Sequence, residues 1–100
     1  MLNIRKKQED GTLTVTLEGS VDTHTAPVLL SEVEPMLDSL TALTLDFEKV
    51  DYISSAGLRV LLTFEQILEE QEKSMELIHV SEINRDVFEV MGFTDVLNIR

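Results

Sequence analysis

Asp51-Tyr52-Ile53-Ser54-Ser55-Ala56-Gly57-Leu58-Arg59-Val60-Leu61-Leu62 joins two kinds of periodicity. Upstream, Leu43, Leu45 and Phe47 alternate with polar neighbours as a strand does, and the run passes on through Val50 and Ile53. Downstream an apolar helical pattern starts at once. The serines stand at the junction, where a hydroxyl can accept from the free backbone N–H groups of a first helical turn. That turn carries partial positive charge and open donors, so it accommodates an added anion such as phosphate. Ala56 and Gly57 add little bulk beside the hydroxyls, which leaves a partner room to approach. From the residues alone the stretch reads either as an exposed seryl switch or as a plain helix cap. The plain cap is the commoner case.

Working towards the C-terminus, the pattern predicts a helix from Ser55 to Gln71. Its first half is apolar nearly all round, with Leu58, Leu61 and Leu62 as core and Val60 and Phe64 as packing residues. Its second half is acidic and reads as a solvated face. Met75, Leu77, Ile78 and Val80 predict a fourth strand, with His79 packed within it or at its edge. Ser81 then caps a short helix carrying Ile83, Val87, Phe88 and Met91, closed by Gly92. Val96, Leu97 and Ile99 end the chain as a short strand.

Towards the N-terminus, Leu2 and Ile4 mark a first strand, Asp10-Gly11 a turn, and Thr12 to Glu18 a cleanly alternating second strand, together a hairpin. Gly19 is expected to end it and open the loop Ser20-Val21-Asp22-Thr23-His24-Thr25. Thr25 is the expected cap of a helix with Pro27 in its first turn. The helix's apolar face is Ala26, Leu29, Leu30, Val33, Leu37 and Leu40, and Pro35 should kink or split it. The order ββαβαβαβ implies an α/β sandwich with a mixed β-sheet and helices packed against it.

The chain's 100 residues are expected to form a single domain over residues 1–100, and 43% apolar content suits a folded core. With 19 acidic against 8 basic residues the net charge is −11, which repels phosphate backbones and anionic lipid. Nucleic acid is therefore not an expected partner, nor is direct membrane insertion. Cysteine is absent, no signal-peptide pattern opens the sequence, and no segment has the length of a bilayer span. A soluble, cytoplasmic protein is expected. Asp22, Asp46 or Asp51 with His24 or His79 and a serine would compose a hydrolytic triad on paper, but no Gly-x-Ser-x-Gly elbow accompanies them. Two distant histidines among scattered carboxylates make a weak metal cluster. The expectation is no catalytic residue, no metal and no cofactor.

Three segments, in order along the chain, resemble the STAS family, specifically bacterial anti-sigma factor antagonists. Gly19-Ser20-Val21-Asp22-Thr23-His24-Thr25-Ala26 is similar to the family's Gly-x-Leu/Val-Asp-x-x-Thr/Asn-Ala loop. Tyr52-Ile53-Ser54-Ser55-Ala56-Gly57-Leu58 is similar to its switch segment, commonly Asp-Ser-Ser/Thr-Gly-Leu. Phe88-Glu89-Val90-Met91-Gly92-Phe93 is similar to its late helix ending in Gly-Leu or Gly-Phe. The chain departs from the pattern at Ser54, where the family often has Asp, and at Ala56, where it has Ser or Thr.

The resemblance implies an anti-sigma factor antagonist that works by partner switching and is not an enzyme. The unmodified domain binds an anti-sigma factor that is also a serine kinase of the GHKL ATPase type, and a sigma factor is released. Phosphorylation at Ser55, with Ser54 as the rival hydroxyl, ends binding, and a PP2C-type phosphatase restores it. The implied partner-binding residues are Asp22, Thr23, His24, Ser54, Ser55, Ala56 and Gly57, with Arg59 on the same helix. The alternative is an unswitched STAS scaffold, or a ligand-binding subunit of a signalling or transporter complex.

Overall fold

Asp10 and Gly11 take left-handed backbone angles, φ 51° and 85°, as a two-residue hairpin turn demands. In the computed structural model, which describes residues 2–100, they join β1 (Leu2–Glu9) to β2 (Thr12–Val21) antiparallel. The remaining pairings are parallel: β2 with β3 (Ala42–Ile53), β3 with β4 (Ser74–Ile78), and β4 with β5 (Asn98–Ile99). Sheet order therefore follows chain order, and the sheet is mixed as the sequence predicts. The parallel connections run through α1 (Ala26–Val33) with a 3-10 turn (Glu34–Ser39), α2 (Ser55–Glu70) and α3 (Glu82–Val90). Because the order advances in one direction and such crossovers are right-handed, the helices share one face. Burial agrees. Leu13, Val15, Leu17, Leu43, Leu45, Phe47, Met75 and Leu77 are buried beneath the helices, while Thr12, Thr14, Thr16, Thr44 and Asp46 alternate with them on the open face.

Pro35 acts as its missing N–H requires: α1 stops at Val33 and the chain tightens into the 3-10 turn. Gly92 closes α3 with φ 78°, the Gly92 N–H donating to the Glu89 carbonyl (3.0 Å) and the Phe93 N–H to Phe88 (2.8 Å). The same bond pattern ends α2, with Glu72 (φ 59°) in the glycine's place: Glu72 N–H to the Glu69 carbonyl at 3.0 Å and Lys73 N–H to Leu68 at 2.8 Å.

Three boundaries and one helix face differ from the sequence reading. Gly19 does not end β2; it sits inside the strand at φ 120°, beside a register shift, and pairing continues to Val21. β4 ends at Ile78, because His79 turns left-handed (φ 57°), so His79 is an exposed loop residue and Val80 is buried from the loop. The last strand is only Asn98–Ile99, with Val96 and Leu97 in the turn before it. On α3, Phe88 is buried against Phe47 (ring centroids 6.1 Å apart), but Ile83 and Met91 point to solvent.

β3 carries the feature that positions the site. Thr16 pairs with Asp46 and Val21 with Ile53, yet Glu18 already faces Lys49 and Ser20 faces Tyr52. Two extra residues therefore sit on β3 as bulges. They change the inward spacing from two to three, so that Phe47, Val50 and Ile53 are all buried. α3 is tied to this irregular stretch by Asn84, fully buried, whose amide donates to the Val50 carbonyl at 3.1 Å.

Candidate partner-binding site

The bulged end of β3 delivers Ser54 to the edge of β2, where its N–H donates to the Val21 carbonyl at 2.8 Å. Ser54 has extended backbone angles (φ −93°, ψ 175°), and its Oγ accepts from the Gly57 N–H at 3.4 Å, which makes it the N-cap of α2. Ser55 is the first helical residue and is exposed, and among the described residues its hydroxyl takes part in no hydrogen bond. The two serines thus divide the work that the sequence left shared. Ser54 caps; Ser55 is free. No acidic side chain stands in the first turn of α2, so the positive end of the helix is not neutralised from within.

Gly57 corrects one expectation. It is buried, and a Cβ built on it would meet Val21 Cγ1 at 2.7 Å, Ile53 Cγ1 at 2.8 Å and the Val21 carbonyl at 2.9 Å. Its lack of a side chain lets the helix sit directly on the ends of β2 and β3; it does not clear space for a partner. Ala56 is half-buried and Arg59, one turn beyond Ser55, is exposed.

The loop after β2 is closed by its own side chains. Asp22 Oδ1 accepts from the N–H groups of His24 (2.9 Å) and Thr25 (3.0 Å). These backbone bonds, Thr25 first and His24 second, hold the Asp22 carboxyl below its ordinary value. Thr25 was expected to cap α1, but its hydroxyl turns back, donating to the Ser20 carbonyl at 2.7 Å and accepting from the Asp22 N–H at 2.8 Å. Asp22, three residues earlier, already takes the loop's free N–H groups. Thr23 and His24 are left exposed at the tip.

The structure brings most of the candidate residues together. Thr23, Ala56 and Arg59 line one groove of about 250 Å³ between α1 and α2, with Ala26, Pro27, Leu30, Val60 and Thr63. Asp22 and His24 line a neighbouring hollow with Leu2, Thr25 and Val28. Pro27, Leu30 and Thr63 were not foreseen in this role. Their helical spacing places them on helix faces, but only the adjacency of α1 and α2 reveals a shared groove. Val60 and Phe64 are buried, as read from the sequence.

The arrangement offers a neutral hydroxyl at a helix N-terminus, flanked by a rigid polar loop and an apolar groove. Among the described residues the Ser55 hydroxyl has no hydrogen-bonded base, and His24 is an exposed loop residue whose N–H donates to Asp22. No helix among the described residues is long and apolar enough to cross a membrane.

Comparison with known proteins agrees with this geometry. The family model described as "Mlab, STAS domain" matches residues 4–98. The anti-sigma-B factor antagonist of Bacillus subtilis (strain 168) is 28% identical over 98 residues, covering 98% of this chain and 90% of that protein. The putative anti-sigma factor antagonist BtrV of Bordetella bronchiseptica is 34% identical over 91 residues, covering 90% of this chain and 78% of that one. Such relatives are regulatory binding proteins rather than enzymes. Among solved structures, the anti-sigma factor antagonist SpoIIAA in its unphosphorylated form superposes with a TM-score of 0.85 at 19% identity, over 98% of this chain and 88% of that one. The SpoIIAA of Bacillus in its phosphorylated form gives 0.78 at 19% identity over 98% and 91%. From the matched segments, the fold and these relatives, the chain belongs to the STAS domain family, alongside the anti-sigma factor antagonists.

Proposed function

We propose that this chain is a cytoplasmic, single-domain anti-sigma factor antagonist that works by partner switching. Its unmodified form binds an anti-sigma factor that is also a GHKL-type serine kinase, and a sigma factor is released. The binding surface comprises Asp22, Thr23, His24, Ser54, Ser55, Ala56 and Arg59. Phosphorylation of Ser55 ends the interaction and a PP2C-type phosphatase restores it. The observation that carries this reading is the division between the serines: Ser54 is committed to the cap, while the Ser55 hydroxyl is exposed and unengaged.

A phosphoserine adds about −1.5 to −2 charge and three acceptor oxygens. The first turn of α2 receives that charge without distortion, through its open N–H groups and dipole, so the folded domain persists. The cost falls on the complex, where a dianion is desolvated against a surface shaped for a hydroxyl. A loss of about 1.4 kcal/mol weakens binding tenfold, and several such steps abolish it at cellular concentrations.

The test is intact mass and phosphosite mapping after incubation with a candidate GHKL kinase and ATP. One phosphate on Ser55, absent in Ser55→Ala, is the expected result. Ser55→Ala retains kinase binding and Ser55→Asp weakens it by at least about tenfold. Phosphate on Ser54 would move the acceptor; no phosphate from any active neighbouring kinase would leave an unswitched scaffold.

A further inference from the structure

The two bulges of β3 and the left-handed turn after β4 create a cluster away from the partner surface. Asp46, paired with Ile78 on β4, lies on the open face of the sheet, and its Oδ1 accepts the Glu48 N–H at 3.0 Å across the first bulge. The bulge turns Glu48 out beside it. His79, at φ 57°, brings its ring back over the same strand, with Nδ1 2.9 Å from Asp46 Oδ1 and 3.7 Å from Glu48 Oε1. The three ligand atoms all lie within 4.8 Å of one another.

We propose that Asp46, Glu48 and His79 form a binding site for one divalent transition-metal ion, with zinc the best fit.

Metal–ligand distances of about 2.0–2.1 Å in a tetrahedron place ligand atoms about 3.3 Å apart. The His79–Asp46 and His79–Glu48 separations of 2.9 and 3.7 Å bracket that value and the third pair lies within 4.8 Å, so a swing of the exposed Glu48 side chain would seat the ion. The donor set selects the metal. One imidazole with two carboxylates suits zinc and its first-row neighbours, whereas magnesium and calcium favour oxygen alone. The two carboxylates balance a dication, and among the described residues neither has a lysine or arginine partner to neutralise it. The Asp46 side chain is 19% exposed and already oriented, while that of Glu48, at 68%, is free to swing inward. The ion would take the place of a proton on Nδ1, leaving Nε2 as the N–H of the ring, and a water would complete the coordination. In the sequence the two distant histidines among scattered carboxylates made only a weak cluster; the fold brings one of them, His79, against Asp46 and Glu48.

The experiment is calorimetric titration of the chain with zinc chloride at neutral pH in a non-chelating buffer, followed by long-range ¹H–¹⁵N spectra of the imidazoles. One saturable site is expected, with rising thermal stability and a shift confined to the His79 Nδ1. His79→Asn keeps a side chain tolerant of the left-handed backbone but removes the imidazole, and Glu48→Gln removes an exposed ligand without touching the core. Each should weaken zinc binding by about tenfold or more, with circular dichroism unchanged, while His24→Ala should leave it intact. Absence of saturable binding up to about 1 mM zinc, corresponding to less than about 4 kcal/mol, would overturn the proposal. So would binding that survives both His79→Asn and Glu48→Gln.

Discussion

Asp22 serves the fold directly and, in the proposed function, faces the partner as well. Its carboxylate closes the loop by accepting from Thr25 and His24, and those bonds depress its pKa below the ordinary 3.8. A depressed folded-state pKa contributes stability that is present above the unfolded value and is lost as pH falls through the folded one. Asp22→Asn keeps an acceptor oxygen but removes the charge. The melting temperature of the chain should therefore exceed that of Asp22→Asn at neutral pH, and the gap should close as pH falls from about 5 towards 2. Thermal melts across that range measure it; a gap independent of pH would mean that the charge contributes nothing to the loop. Gly57 gives the complementary lesson. Its role is set by Val21 and Ile53 on the inside, and a residue that looked like an opening for a partner is a close-packing contact.

Among the elements, α2 and α3 end with the same hydrogen bonds but different residues. α3 uses Gly92, whereas α2 places Glu72 at φ 59°. A left-handed residue with a side chain costs about 1–2 kcal/mol, part of which a glycine returns through the greater freedom of the unfolded chain. Glu72→Gly is expected to stabilise the domain by about 0.5–1 kcal/mol, read as a melting temperature higher by about 2–8 °C. A lower melting temperature would show that Glu72 contributes more than its backbone strain costs. The end of α2 was read within one residue, at Gln71, but nothing at Gln71-Glu72-Lys73 signals that the turn there is left-handed. Elsewhere legibility followed periodicity. The β1–β2 hairpin, the α1 break at Pro35 and the α3 stop at Gly92 each rest on one local rule, and each was read correctly. The bulges of β3 break the two-residue alternation, so the sequence carries the run on through Val50 and Ile53 without a period that marks both as core. In the same way the serine segment could be located by motif, but which serine caps α2 depended on the register that delivers Ser54 to Val21. The groove between α1 and α2, and the meeting of His79 with Asp46, depend on contacts between distant segments. No local pattern encodes them.

At the scale of the whole molecule, charge is the dominant asymmetry. A net charge of −11 on 100 residues makes the folded state repel itself, and salt screens that repulsion over about 10 Å at 0.1 M. Raising sodium chloride from about 10 to 300 mM should raise the melting temperature by a few degrees, and a flat or falling profile would show that local pairs outweigh the overall field. The basic exception is the run Arg5-Lys6-Lys7 on β1, where Lys6 reaches Glu32 of α1 at 2.7 Å. Such charges also discourage another strand from adding to that edge. The surplus length of β3 has a different kind of consequence. From Asp46 to Ile53 the strand takes seven residue steps, while β2 covers the same span in five, from Thr16 to Val21. The bulges absorb that surplus, so Gly19 still meets Val50, Val21 still meets Ile53, and the inward residues stay inward. Removing one residue at Glu48 or Lys49 would keep those faces but take away a local bend and twist, and with it the angle at which β3 hands Ser54 and Ser55 to α2. In an evolving gene this stretch can exchange codons freely at exposed positions such as Asp51, whereas gaining or losing one would re-aim the proposed switch.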